Sequence, residues 1–144
     1  MRLFIDSSVF FAIADSETGA ARELMRRAIL QEIELVVSEY VLTETEDKLK
    51  AKRPKAAELF GYFRLNPFWA VENPTEKEIN AARETTPDPD DVPIVAAAKK
   101  ARVDALLSFD VKHLHRKSVE DYIGARVVKP EVIMQEIRAA EKQN

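Results

Sequence analysis

RLFIDSSVF, residues 2–10, is an apolar run that stops at an aspartate and is followed at once by two small hydroxyl residues. Arg2 to Ile5 has the length and the near-continuous apolar character of a strand buried on both faces, as strands of parallel sheets are. Asp6 ends it at a polar position. Val9 to Ala14 then continues as a short helical turn, so the chain passes from buried strand, through an acid, into helix.

Working outward, the same alternation recurs. Ser16 or Thr18 is placed to cap a helix whose Ala21, Leu24, Met25, Ala28 and Ile29 fall at helical spacing. Glu34 to Ser38 reads as a second strand, and Ser38 as the cap of a helix carrying Val41, Leu42 and Leu49, with Glu44 in its first two turns. Pro54 breaks that helix, Ala56 to Leu65 forms another, and the aromatics of Phe68 to Val71 suit a third strand. Thr75 and Glu78 make a capping box for a helix running to about Glu84. Ala105 to Phe109 is a fourth strand ending at Asp110, and Arg126 to Val128 a fifth, followed by a helix from Pro130 to about Ala140. Strands alternating with helices imply a doubly wound, three-layer α/β/α fold around a central parallel sheet of about five strands. Ligands of such sheets sit outside the carboxyl ends of the strands, where strand order reverses.

A length of 144 residues with 46% hydrophobic content fits one domain spanning residues 1–144. The net charge of −3 supplies no global field for polyanions, so nucleic-acid contacts have to be local. The absence of cysteine excludes disulfides, zinc-thiolate sites and thiol catalysis, and accords with a cytoplasmic protein. The apolar stretch Val9 to Ala14 is too short for a signal peptide, and no run is long enough to cross a bilayer.

With 25 Asp and Glu residues, any one acid is by default solvated surface, and position has to distinguish the rest. Asp6 and Asp110 each close a strand. Asp6 is followed by Ser7 and Ser8, and Asp110 is preceded by Ser108, hydroxyls suited to orienting a carboxylate. Asp91 ends the loop TTPDPDDVP and sits at or beside the N-cap of a helix Val92 to Arg102; Asp88 and Asp90 are its rivals. Glu44 competes with Glu39, Glu46 and Asp47 on its helix. Converging carboxylates repel, by roughly 4 kcal/mol per pair at about 4 Å and an effective dielectric of 20, so such a pocket needs protons or a cation. All-oxygen donors suit Mg²⁺ or Mn²⁺, whose natural chemistry is phosphodiester hydrolysis.

Taken together, FIDSSVF at 4–10, VLTE at 41–44, DDVPIVAAA at 90–98 and LLSFD at 106–110 resemble the PIN-domain nucleases, and in particular the VapC-type toxins, in order and spacing over nearly the whole chain. The resemblance implies an Mg²⁺- or Mn²⁺-dependent endoribonuclease. It implies that Asp6, Glu44, Asp91 and Asp110 carry the metal and the catalysis, with Ser8 and Ser108 in support. It further implies an RNA substrate, a homodimer and, where the protein is a toxin, an antitoxin partner. Family members often have Thr where Ser7 and Ser108 stand; Ser keeps the hydroxyl.

Lys99 and Arg102 on one helix, and Lys112 and Arg116 after Asp110, are candidates for RNA phosphates, as a mixed surface also provides. His113 and His115 read as phosphate contacts, and Trp69 as core rather than a base-stacking platform. The competing class is a catalytically inert RNA-binding or scaffold subunit of the same fold. A phosphoaspartyl receiver would need an acidic pair after the first strand, where this chain has Asp6 and serines.

Overall fold

The short apolar runs become five strands: β1 (Arg2–Ile5), β2 (Glu34–Val37), β3 (Trp69–Val71), β4 (Ala105–Leu107) and β5 (Arg126–Val128). They pair in the order β3-β2-β1-β4-β5, every neighbour parallel. The structure is a computed structural model and describes residues 1–143. Leu3, Phe4, Ile5, Leu35, Val36, Val37, Leu106 and Leu107 are fully buried, which accounts for the continuous apolar character of the three central strands.

Between β1 and β2 lie α1 (Ser7–Asp15) and α2 (Ala20–Ile29); between β2 and β3 lie α3 (Glu39–Lys52) and α4 (Pro54–Leu65). The chain then returns across the sheet through α5 (Glu76–Ala81), a 3₁₀ turn (Pro89–Asp91) and α6 (Val92–Ala101), and reaches β5 by α7 (Lys117–Ile123). The final helix is α8 (Pro130–Lys142). Right-handed crossovers put helices before and after the reversal on opposite faces. The packing agrees: α1 to α4 pack among themselves with α8 on α2, while α5 and α7 pack on α6. The reversal falls at β1, between β2 and β4, so the crevice it opens lies beside Asp6.

Phe10 anchors the first layer, meeting Phe60 and Trp69 edge-to-face at centroid distances of 5.1 Å each. Trp69 is thus a packing residue, its ring engaged with Phe10 and Phe68.

Several boundaries differ from the sequence expectation for local reasons. Asp6, rather than any later residue, caps α1, accepting the Val9 N–H, so the helix begins two residues earlier. Neither Ser16 nor Thr18 caps α2; Gly19 does so at φ 98°, without a side-chain bond. Pro54 opens α4 at its first turn, where its missing N–H costs nothing. The Thr75–Glu78 capping box forms, but α5 ends at Ala81. Ser108 and Phe109 lie beyond β4, although the Ser108 N–H still reaches the Val128 carbonyl at 3.1 Å. The basic segment after Asp110 gives way to a helix, α7, whose Val119 and Ile123 are buried. Among the described residues no helix is long and apolar enough to cross a membrane.

Candidate metal centre

At Asp6 burial and charge conflict. Its side chain ends β1 at the switch point and is 3% exposed. Oδ1 accepts the Ser8 hydroxyl at 2.6 Å and the Val9 N–H at 3.1 Å; Oδ2 accepts the Ser108 hydroxyl at 2.5 Å. Burial nonetheless holds the carboxyl above its ordinary range, with the Asp110 charge adding to it, and the three hydrogen bonds only partly offset this. The two serines also fix the strand ends to each other. Ser8 Oγ accepts the Phe109 N–H at 3.0 Å, and Ser108 Oγ accepts the Asp110 N–H at 2.9 Å.

Asp110 closes the turn after β4. Its Oδ1 accepts the His113 N–H at 3.1 Å, and its Oδ2 lies 3.1 Å from Nδ1 of the same residue. Burial pushes Asp110 up, but the bonds from the His113 backbone and ring outweigh it and hold the carboxyl below its usual range.

Asp91 is the N-cap residue of α6, yet its side chain makes no capping bond. Its Oδ2 is buried and accepts no hydrogen bond among the described residues, while the carboxyl meets that of Asp110, with which it shares a proton. Burial first, then the charges of Asp110 and Asp88, push this carboxyl up to about 7. Asp91 and Asp110 therefore divide the proton unequally, Asp91 holding it. A helix N-terminus that leaves its acid uncapped, turned toward other acids, is an electrostatic cost that a bound cation would remove.

Glu44 projects from α3 and accepts the hydroxyl of Ser7, which joins it to the residue after Asp6. Lys48 Nζ stands 3.9 Å from it, one turn along the helix. Tyr40, one turn earlier on α3, is half-buried; burial and the charges of Glu44, Asp90, Asp91 and Asp88 push its phenol up to about 12. Its hydroxyl thus stays a proton donor beside the acids.

Asp88 and His113 complete the group. Nδ1 of His113 lies 3.9 Å from both Asp88 Oδ2 and Asp91 Oδ2, and donor atoms of these three residues all fall within 4.8 Å of one another. His115 turns away, its Nε2 2.7 Å from the Ser108 carbonyl. The donor set, carboxylates with one imidazole and one orphaned buried oxygen, fits a divalent cation.

The candidate cations separate into two places. Lys112 and Arg116 are exposed on the segment following Asp110, at the acid end of the sheet. Lys99 and Arg102 lie at the C-terminal end of α6; at 1.5 Å per residue, Lys99 is about 12 Å along the axis from Asp91. Lys99 is also engaged, donating to the Tyr122 carbonyl at 2.9 Å with its ammonium 4.2 Å from the Tyr122 ring centroid. A cleft of about 1140 Å³ lies at the opposite end of the sheet, where the strands begin, around Met1, Arg2, Leu65 and Asp104, away from the acids.

Sequence reasoning missed the placement of His113 and Tyr40. The spacing of His113 three residues after a strand-ending aspartate was a usable signal, since an Asp-capped turn returns residue i+3 to the cap. No sequence signal singles out Tyr40.

A parallel five-stranded sheet with acids gathered at its switch point defines a class of α/β proteins with an acidic crevice outside the strand ends. Residues 2–112 match the family model of the PIN domain, and the chain belongs to that family. No curated protein sequence matches it. Among solved structures it is similar to Mycobacterium tuberculosis VapC20, a sarcin-ricin loop cleaving toxin, at 20% identity and TM-score 0.59, covering 76% of this chain and 91% of that one. It is also similar to Rickettsia felis VapBC2 bound to a fragment of promoter DNA (13%, TM-score 0.60, 78% and 90% covered). A third is FitAcB of Neisseria gonorrhoeae (15%, 0.58, 89% and 97%).

Proposed function

We propose that this chain is a divalent-metal-dependent endoribonuclease, with Asp6, Glu44, Asp91 and Asp110 as its catalytic, metal-holding residues. The observation that carries the reading is the buried Oδ2 of Asp91, which accepts no hydrogen bond and is set among Asp6, Asp88 and Asp110. A divalent cation bound there supplies charge neutralisation at the phosphate and a lower pKa for the attacking water. Mg²⁺ and Mn²⁺ both suit the carboxylates.

The chain's own groups have distinct tasks. Ser8 and Ser108 hold the Asp6 carboxylate from either side, leaving it one orientation. Ser7 does the same for Glu44. Tyr40 keeps its proton in the field of Glu44, Asp90, Asp91 and Asp88. Lys112 and Arg116 supply positive charge for RNA phosphates on the same edge.

The PIN fold and the names of the solved relatives support a toxin assignment with an antitoxin as partner, and the reading includes a homodimer as the assembly. An adjacent small gene encoding a DNA-binding protein would support that assignment further.

The test is cleavage of RNA by purified protein, with and without chelator, and by Asp6→Asn. Loss of cleavage in both is the expected result. Cleavage surviving both removes the metal mechanism, and metal binding without cleavage of any RNA favours an inert RNA-binding or scaffold role.

A further inference from the structure

We propose that Nδ1 of His113 is itself a ligand in this centre, with Asp88 and Asp91, and that its nitrogen makes the centre prefer a first-row transition ion to Mg²⁺. The proposal rests on the metal-dependent reading above and names the class of ion it takes.

The geometry exceeds what a counter-ion needs. One imidazole N–H serves one acceptor well, and at 3.1 Å Asp110 Oδ2 is within reach of it. Asp88 Oδ2 and Asp91 Oδ2, both at 3.9 Å, are beyond hydrogen-bonding distance yet converge on the same nitrogen. Around an octahedral ion with bonds of about 2.1 Å, adjacent donors stand about 3.0 Å apart and opposite ones about 4.2 Å. The 3.9 Å from Nδ1 to each of the Asp88 and Asp91 oxygens lies inside the wider span, and the three donor atoms lie within 4.8 Å of one another, so a small adjustment of the side chains seats all three on one ion.

The ring is also held in advance from both sides. The His113 backbone N–H donates to Asp110 Oδ1, on the β4 side. The His113 carbonyl accepts the Thr86 hydroxyl at 3.0 Å, and Thr86 belongs to the loop that carries Asp88. Leu114, next in sequence, is fully buried. Backbone anchors to both donor-bearing segments keep the imidazole among the carboxylates without relying on its charge. Ligation moves the ring hydrogen from Nδ1, where it faces Asp110, to Nε2, and turns the Nδ1 lone pair to the ion.

Hard oxygen donors bind Mg²⁺ and Mn²⁺ alike, whereas imidazole adds affinity for transition ions and little for Mg²⁺. The experiment uses the full chain freed of metal by chelation, with Mn²⁺ and Mg²⁺ as probes. Calorimetric titration should show Mn²⁺ bound at least about tenfold more tightly than Mg²⁺, a preference that His113→Ala and His113→Asn reduce to within about threefold. Pulsed electron paramagnetic resonance of the Mn²⁺-loaded wild type should carry a nitrogen coupling that both variants lose, and this reading on the wild type does not depend on how the variants fold. Mn²⁺ bound without nitrogen coupling overturns the proposal, makes His113 a counter-ion, and leaves the carboxylate-held metal intact. A wild type that binds neither ion overturns both this proposal and the metal-dependent function.

Discussion

Ser108 Oγ donates to Asp6 Oδ2 while accepting the backbone N–H of Asp110, so one hydroxyl ties the acid at the end of β1 to the acid at the end of β4. Ser108 is fully buried, and its loss would leave Asp6 with fewer donors at 3% exposure. Ser108→Ala should therefore lower stability by about 1–3 kcal/mol, as removing one partner of a buried polar pair does. Chemical denaturation of the metal-free protein measures it, and a change under about 0.5 kcal/mol would mean that the bond contributes nothing net.

Asp6→Asn should separate two properties. The buried carboxyl is held above its ordinary range, so a neutral isostere relieves an unfavourable charge while giving up one acceptor oxygen, and the metal-free protein should melt at about the same temperature. The rise in melting temperature that Mg²⁺ or Mn²⁺ gives the wild type should disappear. A variant that melts lower without metal and still gains from it would contradict both parts.

The pH dependence follows from Asp91. Its folded pKa of about 7 lies above the ordinary 3.8, so between those values the folded state holds a proton that the unfolded state has released. The contribution of Asp91 to the stability of the metal-free protein is then full near pH 4 and is lost toward pH 7, and the raised Asp6 works in the same direction. Asp110, depressed, works the other way and only as pH falls below about 4, where its stabilisation is lost. Denaturation from pH 4 to 8 should show the decline in wild type and a flatter profile in Asp91→Asn; a wild-type profile that rises across this range would refute the assignment.

Glu44→Gln keeps an oxygen to accept the Ser7 hydroxyl, so folding should change by less than about 0.5 kcal/mol. Cleavage should fall at least about tenfold if Glu44 holds the metal. Kinetics beside a melting curve separate the two, and unchanged cleavage would remove Glu44 from the site.

Lys112 and Arg116 lie at the acid end, whereas Lys99 is tied to Tyr122 about 12 Å along α6 from Asp91. Lys112→Ala with Arg116→Ala should weaken binding of single-stranded RNA and flatten its dependence on salt, the log–log slope falling by about 0.7 for each phosphate no longer neutralised. Lys99→Ala with Arg102→Ala should leave both unchanged. Equal effects from the two pairs would extend the RNA path along α6.

The sheet was legible because its signal is local. A strand buried on both faces has to be apolar throughout, and RLFI, ELVV and ALL say so without knowledge of their neighbours. Asp6 and Asp110 were legible for the same reason, since each follows its strand directly. Helix α7 was not: its apolar positions amount to Val119, Tyr122 and Ile123 in a segment that opens with charge, and it is packing on α6 that selects the helix.

By itself the sequence determined the order of the strands, the parallel sheet and the two strand-end acids, because apolar runs and caps act over a few residues. Only the tertiary structure decided which distant groups share the crevice. It brought His113 and Asp88 to Asp91 and joined Glu44 to Ser7 from another helix. Those outcomes depend on crossover handedness and on turns that carry side chains back to a strand end, and no spacing along the chain encodes them.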